Sequence, residues 1–199
     1  MGAASPRSAL MRCATEAARP ILYNAAVTLH RGNLFLVGLM GAGKSTLGRQ
    51  IARRLAKRFV DADHELEDRL GVSIPTIFEI EGEAGFRDRE EAVIDDLTRM
   101  TDVVLATGGG AVLRQASRER LKANGTVVYL FADPLTLWDR VRNSRHRPML
   151  QAVDPRQRLF DLYEQRDALY REVADHVIPS EREAVMRFVC ALEAGAAAR

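Results

Sequence analysis

Apolar and polar positions follow two rhythms along this chain. Short runs that are apolar almost throughout, Leu34–Val37, Phe59–Val60, Val103–Ala106, Val127–Phe131 and His176–Ile178, are separated by longer charged stretches. Such runs predict strands buried on both faces, because a strand wet on one side alternates apolar with polar. The stretches between them, Lys44–Ala56, Asp63–Leu70, Glu83–Met100, Arg114–Ala123, Leu135–Val141 and Asp154–Ala174, carry apolar residues at helical spacing and predict helices. Strands joined by helical crossovers pair in parallel, so the pattern predicts a doubly wound α/β domain. The runs end in polar or glycine-rich residues: Gly38 onward, Asp61-Ala62-Asp63, Gly108-Gly109-Gly110, Asp133-Pro134 and Pro179. Ligands of such sheets gather at the carboxyl ends of the strands, so the chemistry is expected there.

The length of 199 residues fits one compact domain. Fractions of 47% hydrophobic and 28% charged residues exclude a disordered or fibrous chain. No stretch approaches the roughly 18 apolar residues of a membrane span, and no membrane association is expected. Cys13 and Cys190 stand far apart without CxxC or Cys/His spacing, which argues against zinc and fits a reducing compartment.

Charge divides the chain. Residues 1–32 hold Arg7, Arg12, Arg19 and Arg31 against Glu16, a net of +3, which leaves −1 of the total +2 for the remainder. Residues 1–31 are therefore expected to be a flexible basic arm on a nearly neutral body, residues 32–199. The arm suits a bacterial extension; organelle targeting is the alternative. A neutral body speaks against nucleic acid as a partner. Within the body, Arg140–Arg158 holds six arginines and few apolar residues, and predicts a mobile basic loop between two helices.

The strongest chemical signal is Gly38-Leu-Met-Gly-Ala-Gly43-Lys44-Ser45, which matches G-x-x-x-x-G-K-[ST] between a predicted strand and a predicted helix. Glycines let successive backbone N–H groups converge on phosphate oxygens, and the helix start adds its positive dipole end. Lys44 is expected to reach the β- and γ-phosphates, and Ser45 to ligate Mg²⁺. Asp61 and Asp63 leave the second strand together. One can hold Mg²⁺ through water and the other can take a proton or hydrogen bond from a substrate hydroxyl; alternatively, Asp63 caps the next helix. Arg87 and Glu90, three apart on a helix, form either a surface ion pair or an arginine oriented to fork onto a carboxylate. Gly108-Gly109-Gly110 lets backbone approach a ligand closely, or is only a flexible turn.

Taken in order, Gly38–Thr46, Asp61-Ala-Asp63, Gly85-Phe86-Arg87-Asp-Arg-Glu90, Thr107–Gly110, Arg147-Pro148-Met149-Leu150 and Arg166-x-x-x-Tyr170 resemble the motif set of shikimate kinases, over roughly residues 33–190. The resemblance implies an α/β P-loop NTPase fold of the nucleoside-monophosphate-kinase type. Its five-stranded parallel sheet would have the order 2-3-1-4-5, with helices on both faces and a mobile lid at about residues 140–158. It also implies an ATP-dependent phosphotransferase of the chorismate and aromatic amino-acid pathway. The γ-phosphoryl group would pass to the 3-hydroxyl of shikimate, giving shikimate 3-phosphate and ADP, with one Mg²⁺ ion as cofactor.

Carried over by position, Gly41, Ala42, Gly43, Lys44, Ser45, Thr46, Arg140, Arg147 and Arg182 would bind ATP. Asp63, Phe78, Phe86, Arg87, Gly109, Gly110 and Arg166 would bind shikimate. Ser45 and Asp61 would serve the metal, and Lys44, Asp63 and Arg147 the phosphoryl transfer. Arg87 and Arg166 would clamp the substrate carboxylate, and Arg140 would pack on adenine. The expected partners are shikimate and ATP alone, on a monomer in a bacterial cytoplasm. Met149 stands where leucine is commoner in the family, and the arm lies outside the family core. The alternatives are another small-molecule kinase of the gluconate type and a catalytically silent nucleotide-binding module.

Overall fold

The computed structural model describes residues 29–142 and 153–197. Arg147 and the middle of the expected lid lie outside the described residues, as do residues 1–28. A 3-10 turn, His30–Gly32, leads into β1 (Leu34–Val37), α1 (Lys44–Arg54), β2 (Arg58–Asp61), α2 (Ala62–Leu70) and α3 (Ile74–Thr98). There follow β3 (Val103–Ala106), α4 (Gln115–Asn124), β4 (Thr126–Phe131), α5 (Pro134–Val141), α6 (Pro155–Val173), β5 (His176–Pro179) and α7 (Arg182–Ala197).

The strands form one parallel sheet in the order β2-β3-β1-β4-β5, as the family resemblance implies. Helices α1 and α7 contact each other across one face, while α3, α4 and α6 form a packed row on the other. Every residue of β1 and β3 is therefore buried, which is why these strands read as unbroken apolar runs. The order reverses at β1, whose carboxyl end opens into the glycine-rich loop, and this reversal makes the crevice where a ligand fits.

Two differences from the sequence expectation bear on the site. Helix α3 begins at Ile74, nine residues earlier than the predicted Glu83, and is broken at Gly82 (φ 69°, ψ −174°). Only glycine adopts that conformation readily. The helix therefore turns there, and its second half presents Phe86, Arg87 and Glu90 inward. Nearer the N-terminus, Leu29 packs against the core and the His30 N–H donates to Thr126 Oγ1 at 2.7 Å, so these two residues of the expected arm pack on the body. Asn33 closes the far end of the sheet. Its Nδ2 donates to Met100 O (2.7 Å) and Asn124 O (3.0 Å), and its Oδ1 accepts from Val103 N (3.2 Å). Among the described residues, no helix is long and apolar enough to cross a membrane.

Candidate active site

The loop from Gly38 to Gly43 is shaped by close approach. Gly38 and Gly41 have φ of 142° and 83°. A Cβ on Gly38 would lie 2.7 Å from Leu130 O, and one on Gly41 2.7 Å from Val141 Cγ1. No other residue fits either place without displacing β4 or α5. Gly43 starts α1 and carries no side chain over its first N–H groups, which leaves that helix end open to an anion. Lys44 folds back over the loop, its Nζ donating to Gly38 O at 2.6 Å and Leu39 O at 3.1 Å. Ser45 and Thr46 follow in the first turn of α1.

Asp61 and Asp63 divide their work differently from the capping alternative. The cap is Asp61, whose Oδ1 accepts from Asp63 N (3.2 Å) and His64 N (3.5 Å). Asp63 sits inside the first turn of α2 and points into the protein. Burial, with Glu90 and Asp61 nearby, pushes its carboxyl up to about 6, against the pull of Lys44. A carboxyl so poised exchanges a proton near neutral pH.

The surface ion pair is excluded for Arg87, which is 7% exposed, and Glu90, which is 5% exposed. Arg87 Nη1 donates to Glu90 Oε2 at 2.6 Å and Nη2 to Glu83 Oε1 at 3.1 Å. Its Nε and Glu90 Oε1 are buried without partners among the described residues. Burial lowers the guanidinium, but the two carboxylates more than offset it and hold the group charged. Burial raises Glu90, with Arg87 and then Arg166 opposing. Glu83 was not singled out from the sequence, although its spacing of four from Arg87 is a helix-pair signal.

The three glycines after β3 each face a different group. A Cβ on Gly108 would lie 2.6 Å from Asp63 Oδ1 and 2.5 Å from Glu90 Oε1. One on Gly109 would lie 3.5 Å from Met40 N in the phosphate loop and 3.9 Å from Arg166 Nη1. One on Gly110 would overlap the Arg87 guanidinium. The bare backbone thus brings the carboxyl, the phosphate loop and both arginines to one turn, which Thr107 anchors through Oγ1 to Leu36 O at 3.0 Å. Arg166, on α6, donates from Nη1 to Gly109 O at 3.0 Å. Its burial lowers the guanidinium below its ordinary value, and Arg87 adds to the effect.

Phe78 and Phe86 lie behind Arg87, their ring centroids 4.6 Å apart, with the Arg87 guanidinium 5.0 Å above the Phe86 ring. Across the phosphate loop, Arg140 in the last turn of α5 donates to Gly41 O (3.2 Å) and Ser180 Oγ (2.8 Å). Ser180 carries no sequence signal, because it meets Arg140 only through the fold. Arg182 opens α7 and is exposed.

This constellation has close counterparts. A family model described as shikimate kinase matches residues 40–192. The chain belongs to the shikimate kinase family. It is 61% identical over 153 residues to the shikimate kinase of Burkholderia lata, covering 77% of this chain and 83% of that one. It is 57% identical over 155 residues to that of Thiobacillus denitrificans, covering 78% and 85%. Among solved structures, shikimate kinase from Acinetobacter baumannii in complex with shikimate superposes with a TM-score of 0.77 at 44% identity, covering 83% of this chain and 93% of that one. A gluconokinase from Sinorhizobium meliloti 1021 shares the fold, with a TM-score of 0.55 at 18% identity over 82% of this chain and 93% of that one.

Proposed function

We propose that this chain is an ATP-dependent kinase that transfers the γ-phosphoryl group to the 3-hydroxyl of shikimate, releasing shikimate 3-phosphate and ADP, in the cytoplasm of a bacterium. The observation that carries the reading is the triple-glycine turn, whose successive positions face Asp63, the phosphate loop and Arg87. A small polyol carboxylate fits that juxtaposition. Planar guanidinium forks from Arg87 and Arg166 suit its carboxylate, and the Asp63 carboxylate suits its vicinal hydroxyls.

In this reading the triphosphate lies over the N–H groups of Gly41–Gly43 and the start of α1. Lys44 exchanges its two loop carbonyls for the β- and γ-phosphates. Asp63 accepts the hydroxyl proton, or orients that hydroxyl, as the oxygen attacks phosphorus and ADP leaves. Arg140, held by Gly41 O and Ser180, packs on adenine. Arg147 supplies charge from the lid, and Arg182 flanks the nucleotide. Gly109 and Gly110 line the hydroxyl side of the ring, with Phe78 and Phe86 as the wall behind.

The donors near the phosphate loop suit a hard cation. Ser45 offers a hydroxyl, and the cap at the start of α2 engages Asp61 through Oδ1, with Oδ2 as the oxygen for a hydrated ion. Among the described residues, no group of three or more His, Cys, Asp or Glu is arranged to hold a metal. In this reading the ion arrives with ATP, as Mg²⁺ commonly does. When bound, Mg²⁺ neutralises charge on the β- and γ-oxygens.

A coupled assay of ADP release tests the reading with shikimate, gluconate and nucleoside monophosphates in turn. Shikimate is expected to be turned over far faster than the rest. Equal turnover of gluconate would overturn the assignment.

A further inference from the structure

The Gly109 carbonyl is held twice. Arg166 Nη1 donates to it at 3.0 Å and the Tyr170 hydroxyl at 2.5 Å. The two side chains stand one turn apart on α6 and so reach the same point. Tyr170 is 1% exposed. Its ring stacks on Tyr129 with centroids 5.0 Å apart, and the Tyr129 hydroxyl in turn donates to Asp167 Oδ1 at 2.8 Å. The phenol is thereby fixed from both the strand and the helix. Burial pushes it up, so it remains an O–H donor at working pH.

The two donors differ in how settled they are. Arg166 is buried, yet its Nε has no partner among the described residues, and a neutral carbonyl is a weak partner for a guanidinium. A substrate carboxylate is a better one. An Arg166 that turns to a carboxylate gives up the carbonyl, and a buried carbonyl left with no donor is costly. The Tyr170 hydroxyl oxygen also accepts from Arg166, while its O–H is spent on the Gly109 carbonyl and stays there when the guanidinium turns away. Because the peptide is planar, fixing Gly109 O toward α6 also fixes the Gly110 N–H on the opposite side. It likewise keeps Gly110 against the Arg87 guanidinium.

We propose that Tyr170 is a positioning residue for the substrate: its hydroxyl holds the Gly109 carbonyl while Arg166 exchanges that carbonyl for the substrate carboxylate, so that the triple-glycine turn stays closed as the substrate enters. The inference rests on the carboxylate-clamp reading given above.

The test is Tyr170→Phe, which keeps the stacked ring and removes the donor, beside Tyr129→Phe, which removes the hydroxyl of an equally buried tyrosine that bonds Asp167 and not the turn. For each variant, shikimate is varied at saturating ATP and ATP at saturating shikimate. Binding of shikimate alone is followed by calorimetry, and folding by thermal unfolding. Tyr170→Phe is expected to weaken shikimate on the order of 10-fold in both KM and Kd, the scale of one buried acceptor left unpaired. Its kcat and ATP KM should stay within about twofold. Tyr129→Phe should lower the unfolding temperature without moving shikimate KM. Shikimate KM unchanged in Tyr170→Phe, or raised equally with ATP KM, overturns the proposal, as does the same shikimate shift in Tyr129→Phe. These outcomes are distinct from failure of the functional reading, in which the wild type itself would not phosphorylate shikimate.

Discussion

A carboxyl placed among other carboxylates and away from water is unfavourable in its charged form, and Asp63 is held in that state by the fold. Its folded value of about 6 lies above the ordinary 3.8. The cost of ionising it is absent below the unfolded value and complete above the folded one. Asp63→Asn is therefore expected to be more stable than the wild type at pH 8, by about 3 kcal/mol for a shift of this size. The difference should vanish as the pH falls through 6 toward 4. Thermal unfolding of both proteins across that range measures it. The same residue should give kcat/KM for shikimate an acidic limb near pH 6, with Asp63→Asn losing most of the activity. Arg87 poses the opposite problem, a charge kept charged by its partners. In the proposed reading, Arg87→Ala should raise shikimate KM about 10–100-fold, with a smaller change in kcat, because the carboxylate it would hold is unchanged through the reaction. Arg87→Lys should recover only part, since an ammonium cannot make the planar fork. Steady-state kinetics with shikimate varied decides both points.

Helix α3 is the element whose shape sets the side of the site proposed to take the substrate. Its first half, its break at Gly82 and its second half put Phe78 and Phe86 in contact and turn Arg87 and Glu90 inward. A Cβ on Gly82 would touch nothing within 4 Å, so Gly82→Ala acts through the backbone alone. It should destabilise the protein by about 1–3 kcal/mol in chemical denaturation, and raise shikimate KM if the second half swings outward. An unchanged stability would show that the break relaxes freely. This helix also marks where sequence reading ran short. Strands β1, β3 and β4 were legible to within a residue because full burial writes an unbroken apolar run, whereas the edge strands β2 and β5 are only partly buried, against the expectation of burial on both faces, and showed shorter runs. The opening Ile74–Glu81 was not, because Pro75 and the two nearby glycines look like breakers. Pro75 in fact occupies the first turn, where a missing N–H costs nothing. The phosphate loop was legible because its spacing is local. The division of labour between Asp61 and Asp63 was not, since capping depends on the residue at which β2 stops. Ser180 on Arg140 and Tyr170 on Gly109 join residues 40 and 61 positions apart, and no local spacing encodes such pairs.

At the scale of the molecule, Leu29 and His30 already pack on the body, and every matched motif follows them in the chain. Removing residues 1–28 should leave kcat, both KM values and the unfolding temperature unchanged. Removal through residue 32 should lower the unfolding temperature, because it takes away the Leu29 packing and the His30 bond to Thr126. Kinetics and thermal unfolding of the two truncations compare the cases; lost shikimate affinity in the shorter deletion would make the arm part of the site. The sheet order has a consequence in time. Strand β1 comes first in the chain but lies between β3 and β4, and Leu34 pairs with Val104, 70 residues later. On a ribosome adding about 5–20 residues per second, roughly 4–14 s separate the two. For that interval Leu34–Val37 has neither neighbour, and β2, made in between, cannot stand in because β3 must lie between them. The nucleotide loop is thus complete as a sequence seconds before it exists as a structure, and during those seconds the most apolar strand of the nascent chain is open to whatever binds unpaired strands.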